Sequence, residues 1–131
     1  MEIKLVHCTN QYWEFVRELR NNDEVQDGFI STEYISEKMQ EIYMSKYSDC
    51  YRIALADKKP AGYVGVIEND IRICTHPNFQ GKGIGKFMLK QASLIWPKAV
   101  AKVKITNQAS LKLFQSCGFK PTYILLTQNK E

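Results

Sequence analysis

No stretch of this chain is apolar for long enough to cross a membrane, and no Gly-, Pro- or Ser-rich tract divides it. One domain over residues 1–131 is therefore expected, a length that buries a real core and leaves little room for a second. The opening Met1-Glu2-Ile3-Lys4 runs straight into a strand pattern, so no signal peptide is expected. The four cysteines, Cys8, Cys50, Cys74 and Cys117, lack metal-ligand spacing. That pattern reads as buried free thiols in a reducing compartment, which predicts a cytoplasmic protein with neither disulfides nor a metal. There is no internal repeat. The sharpest absence is of acid: between Asp70 and Glu131 there is no Asp or Glu, while residues 71–130 carry ten Lys and Arg. Residues 1–70 carry 13 Asp and Glu against 8 Lys and Arg. The half without carboxylates suits an anionic ligand. Its lysines are dispersed over separate elements without interleaved aromatics, so no nucleic-acid partner is expected.

The same half contains Gln80-Gly81-Lys82-Gly83-Ile84-Gly85, with three glycines at alternate positions. Before it, Ile71, Ile73 and Thr75 alternate like a strand that Pro77 ends. After it, Ile84, Met88, Leu89, Ala92, Ile95 and Trp96 fall on one helical face. A glycine-rich turn at a helix start lacks Cβ atoms, and its backbone N–H groups have no partners within the helix. Such a turn binds anions by main chain, helped by the helix dipole. A Walker loop is excluded, because Gly81 to Gly85 encloses three residues and Phe87, not Ser or Thr, follows Lys86. A dinucleotide fingerprint is excluded by glycine spacing and by the missing acid about 20 residues on.

Gln80 to Gly85 matches the Gln/Arg-x-x-Gly-x-Gly/Ala signature of the GNAT superfamily of N-acetyltransferases. The preceding Thr75-His76-Pro77-Asn78-Phe79 resembles the strand and Pro that lead into that loop. Further on, Asn107 to Phe119 resembles the second motif of the family: Asn, a short helix, an aromatic and a closing Gly-Phe. The resemblance implies an α+β GNAT fold, a single mixed central β-sheet flanked by helices, with strands splayed around the cofactor. It implies acetyl-CoA as co-substrate and a primary amine of a small molecule as acceptor. Carried over by residue, Ile73 and Thr75 would offer backbone groups to the pantetheine arm. Gln80, Gly81, Lys82, Gly83, Ile84, Gly85 and Lys86 would hold the pyrophosphate, and Asn107 would contact the arm near its amides.

The rest of the chain reads as strand Ile3–Cys8, a helix capped by Thr9 or Asn10 and running to Asn21, and a polar bend from Asn21 to Ile30. A helix over Thr32–Tyr47 follows, then strands Tyr51–Ala56 and Ala61–Ile67 about the turn Asp57-Lys58-Lys59-Pro60. After the loop helix, Ala101, Val103 and Ile105 alternate as a strand, the helix from Asn107 to Cys117 follows, and Phe119–Thr127 ends as a strand. This is the element order of the GNAT fold.

Catalytic residues are not assignable from the sequence. The family often places a Tyr in the second motif to protonate the leaving thiolate, but Phe114 stands there. Tyr123 is a substitute to consider, although a lone strand Tyr is more often core. Transfer needs a neutral amine and so a base. Glu68 and Asp70 are expected to face solvent at their turn, and His76 has no expected duty, which leaves an ordered water as an equal candidate. Arg20-Asn21 through Val25 resembles the Arg-Asn-x-x-x-Val segment of GNAT enzymes acting on amino sugars of nucleotide-activated sugars. On that basis Asn21 and Phe29 are acceptor-binding candidates, with a plain helix cap as the alternative for Asn21. Amino acids, polyamines and protein amines stay open as acceptors. A catalytically weak acyl-CoA-binding module is the rival function, and either a monomer or a homodimer fits.

Overall fold

Two tight turns organise the sheet. Asp57 and Lys58 (φ 48° and 72°) link one strand pair, and Glu68 and Asn69 (φ 51° and 67°) link the next. Paired left-handed residues give the twist that antiparallel hairpins need, and the polar residues found here are among those that tolerate it. The computed structural model describes residues 1–26 and 28–128. Its strands β1 (Ile3–His7), β2 (Tyr51–Ala56), β3 (Lys59–Ile67) and β4 (Asp70–Thr75) form an antiparallel sheet in that order. The register sets Leu5 opposite Ala54, Ile53 opposite Tyr63, and Tyr63 opposite Cys74.

Helices cover both faces. On one side lie α1 (Trp13–Arg20), α2 (Asp23–Gln26) and α3 (Glu37–Tyr47); on the other lie α4 (Ile84–Ile95) and α5 (Gln108–Ser116). Alternation along the central strands divides the core accordingly. Tyr51, Ile53 and Tyr63 pack with Val16, Leu19 and Met44, whereas Ala54, Val64 and Val66 pack with Ile84, Met88, Leu89 and Phe114. Met88 and Leu89 are fully buried, which stabilises the α4 contact by roughly 1.5–3 kcal/mol for each side chain.

Several expected elements are shorter or absent. The first helix opens with a 3₁₀ turn over Asn10–Tyr12, and Thr9 makes no side-chain cap. The helix expected from Thr32 starts at Glu37, because Ser36 Oγ accepts from Met39 N at 3.1 Å and so caps the helix there. The strand expected around 101–105 reduces to one parallel bridge between Val100 and Asp70. Residues 119–127 form no strand, and Tyr123, Ile124, Leu125 and Leu126 are exposed. Alternation supplies a face for a strand but not a ladder partner, and 101–105 offers none. The sheet thus owes its parallel character to that single bridge. Among the described residues no helix is long and apolar enough to cross a membrane.

Candidate functional site

The opening beside β4 begins with the parity of its hydrogen bonds. His76 N donates to Ala61 O at 2.7 Å, so Cys74 and Arg72 also turn their main-chain groups toward β3. Ile71, Ile73 and Thr75 therefore point theirs to the free edge. Ile71 N donates to Val100 O at 2.9 Å, and Val100 N to Asn69 O at 2.7 Å. Beyond that point the chain after Val100 leaves β4. Ile73 has no main-chain partner on this edge among the described residues, and Thr75 O accepts from side chains, Gln80 Nε2 at 3.4 Å and Cys74 Sγ at 3.8 Å. The two segments splay apart, and an extended amide-bearing group laid there would find a ready ladder edge.

At the end of β4 the chain makes a 3₁₀ turn, Pro77–Phe79, capped by His76 Nδ1, which accepts from Asn78 N at 3.1 Å. His76 also stacks on Phe15, which gives it a packing role. Gly81 and Gly83 follow with φ of 76° and 82°. A Cβ on either would meet no atom within 4 Å, so the space above this backbone is open. Gly83 is the N-cap of α4 and supplies no side chain, which leaves the first N–H groups of that helix without protein partners. This cradle has the form that a phosphate needs.

Loop and edge line one cavity of ≈ 580 Å³. Of the predicted contacts, Ile73, Thr75, Gln80, Gly81, Gly83, Ile84, Gly85, Lys86 and Asn107 line it. Lys82 does not, and its ammonium lies 5.9 Å from the centre of the Phe79 ring. Asn107 Oδ1 caps α5 by accepting from Ser110 N at 3.1 Å. Its Nδ2 would lie 3.1 Å from a Cβ on Gly28, so the bend after α1 presses against it.

A second cavity, ≈ 260 Å³, adjoins the first and shares Gly28, Phe29, Ile73 and Ser110 with it. Arg20, Tyr63, Asp70, Arg72, Lys102 and Phe114 complete much of its wall. Asp70 is the main correction to the sequence reading. It is half-buried and lines this cavity instead of facing solvent, with Oδ1 buried and unpartnered. Its Oδ2 lies 3.7 Å from Arg72 Nε. Arg72 is opposite Gly65, where a Cβ would come within 2.5 Å of the Tyr51 ring, and Tyr51 Oη is 2.7 Å from Tyr43 Oη. Burial works against the charge on Arg72, but Tyr51, Tyr43 and Asp70 outweigh it and raise its pKa. Burial likewise raises the pKa of the Tyr51 and Tyr63 hydroxyls, so both stay protonated. Arg20 sets its guanidinium 4.8 Å from the centre of the Phe29 ring and leaves Nε buried and unpartnered.

The remaining candidates separate clearly. Phe29 lines both cavities. Asn21 lines neither: its side chain donates to Ile35 O at 2.8 Å and accepts from Ile35 N at 2.9 Å, bracing the bend against the approach to α3. Tyr123 is 93% exposed and lines neither cavity, so it is no stand-in for a buried proton donor. Phe114 is buried and packs edge-on against Phe119. Tyr63 and Arg72 were missed because their common place on the cavity wall depends on strand register, which the sequence does not state. Among the described residues no group of three or more His, Cys, Asp or Glu could hold a metal ion.

The model of the acetyltransferase (GNAT) domain family matches residues 47–121, more than half the chain. Spermidine N-acetyltransferase from Vibrio cholerae, solved with CoA and spermine, superposes with a TM-score of 0.75 at 21% identity, covering 88% of this chain and 79% of that one. An aminoglycoside N-acetyltransferase solved with CoA gives 0.72 at 16% identity, covering 98% and 95%. An acetyltransferase of the GNAT family from Streptococcus pneumoniae gives 0.69 at 19% identity, covering 89% and 83%. These likenesses establish the fold. No curated protein matches the sequence.

Proposed function

The chain belongs to the GNAT acetyltransferase family, and from that premise we propose that it moves an acetyl group from acetyl-CoA to the primary amine of a small molecule. The observation that carries this reading is the pair of adjoining cavities along the open edge of β4, one ending in the glycine cradle and the other in a charged pocket. Acetyl-CoA supplies an acetyl thioester that a neutral amine can attack. The cradle residues Gly81, Gly83 and Gly85, with Lys86, would hold its pyrophosphate, and Ile73 and Thr75 would offer main-chain groups to the pantetheine. Several solved relatives of this fold carry CoA.

The second cavity is the acceptor site in this reading, with Phe29 packing against the bound amine. Asp70 is the one carboxylate on its wall among the described residues and can receive the amine proton. Phe114 has no proton to donate, so the leaving thiolate takes its proton from solvent or from the amine. The Arg20-to-Val25 segment adds an amino sugar of a nucleotide-activated sugar to the acceptors worth testing. The spermidine and aminoglycoside enzymes of the same fold add polyamines and aminoglycosides.

Thiol release from acetyl-CoA across an amine library, beside calorimetry of coenzyme A binding, tests the proposal. Turnover with at least one amine supports it. Tight coenzyme A binding with no turnover on any amine would reassign the protein as an acyl-CoA-binding module.

A further inference from the structure

The acceptor cavity has an unusual charge pattern. Among the described residues, three cationic side chains, Arg20, Arg72 and Lys102, line it against a single carboxylate, Asp70. Lys102 is exposed at its rim, and no carboxylate among the described residues lies within ion-pair distance of it. The pocket also contains the two buried side-chain polar atoms without a hydrogen-bond partner among the described residues, Arg20 Nε and Asp70 Oδ1. One is a donor on a cation and the other an acceptor on an anion. Buried polar atoms are rarely left unmade without a reason, since each forfeits its hydration.

From these orphaned groups of opposite sign we infer that the acceptor is an amine that also carries an anionic group, a carboxylate or a phosphate. The inference rests on the acetyl-transfer reading for its purpose but not for its ligand. The ammonium end pairs with Asp70 Oδ1. The anionic end is received by the cationic wall, where a guanidinium can make charge-assisted bonds to either oxyanion. A cavity of ≈ 260 Å³ lies just below the usual small-molecule range of about 300–1,000 Å³, so the acceptor is compact. A polyamine brings several positive charges toward Arg20, Arg72 and Lys102, with Asp70 the one carboxylate among the described lining residues to receive them. Of the carboxylates in residues 1–70, Asp70 is the one among the described residues that lines this pocket.

Matched amine pairs test the inference in enzyme saturated with coenzyme A, by calorimetry and separately by thiol release from acetyl-CoA. Leucine against leucinamide isolates a carboxylate, glucosamine 6-phosphate against glucosamine isolates a phosphate, and spermidine is the polycation. In at least one pair the anionic member should bind about 10-fold or more tightly than its neutral congener, and the pair that responds identifies the anion. The preference should shrink as salt rises. Lys102→Gln, an exposed change that the fold tolerates, should reduce that preference by roughly 3-fold or more. Asp70→Asn should weaken both members of the responding pair. Equal binding within both pairs, or tighter binding of spermidine, overturns the inference and leaves acetyl transfer standing. Selective binding of an anionic amine without thiol release from any amine overturns acetyl transfer and leaves the ligand class standing.

Discussion

Replacing Gly83 by Asp separates the loop as phosphate cradle from the loop as helix cap. Gly83 has φ 82°, so any side chain there is forced into the left-handed region, at a cost of about 1–2 kcal/mol. Nothing lies within 4 Å of the added Cβ, so no steric term joins it. A carboxylate at the start of α4 recovers about 0.3–1 kcal/mol from the helix dipole. The folded state should survive, with a melting temperature lower by on the order of 2–6 °C. The effect on the ligand is larger. A carboxylate about 5 Å from a phosphate charge, at an effective dielectric near 20, opposes binding by about 3 kcal/mol. That is about two decades in Kd for coenzyme A. Gly83→Asn has the same backbone strain without the charge and should lose far less. Calorimetry on both variants, beside thermal melts, gives the comparison. Unchanged affinity in folded Gly83→Asp would remove the loop from the site, and equal losses in the two variants would replace the electrostatic argument with a conformational one.

The other expectations follow from packing and titration. Phe114→Leu should retain substantial turnover and lose roughly 1–3 kcal/mol of stability, because the ring is buried against Phe119; a collapse of kcat with coenzyme A affinity intact would contradict a packing role. Asn21→Ala should cost roughly 1–3 kcal/mol in a denaturant titration and leave both KM values unchanged, since its side chain serves Ile35. Phe29→Ala should instead raise the acceptor KM several-fold with a smaller effect on acetyl-CoA, and the reverse ranking in steady-state kinetics would count against the cavity assignment. Burial pushes the Cys74 thiol up to about 12 and the Cys8 thiol up to about 11, against an ordinary value of 9.0. Their folded pKa values are raised, so the stability they contribute is fully present below about pH 9 and is lost as pH rises toward 11–12. At pH 8 neither thiol should react with iodoacetamide until the protein is unfolded, as peptide mapping would show.

What the sequence determined by itself is local. Gln80 to Gly85, between an alternating strand and a 3.6-period helix, defines a glycine turn at a helix start because glycine geometry and helix ends are short-range properties. The same holds for the strand Tyr51–Ala56, the loop helix and the helix after Asn107, whose boundaries agree with the structure to within a residue or two. The missing strands at 101–105 and 119–127 had the right alternation, but a strand exists only with a neighbour to bond, and that is a tertiary fact. The start of α3 turned on where a hydroxyl bonded a helix N–H, at Ser36 and not near Thr32. The second cavity was the least legible part. Arg20, Tyr63, Asp70, Arg72 and Lys102 come from four separate segments, and only the register of β3 against β4, with the bend after α1 folded over it, brings them to one cavity. Asp70 read as a turn residue because it closes the polar run Glu68-Asn69-Asp70 between two strand patterns. Its contact with Arg72 is local, since residues two apart on a strand share a face, but its burial comes with the single bridge to Val100 and the cavity wall beside it.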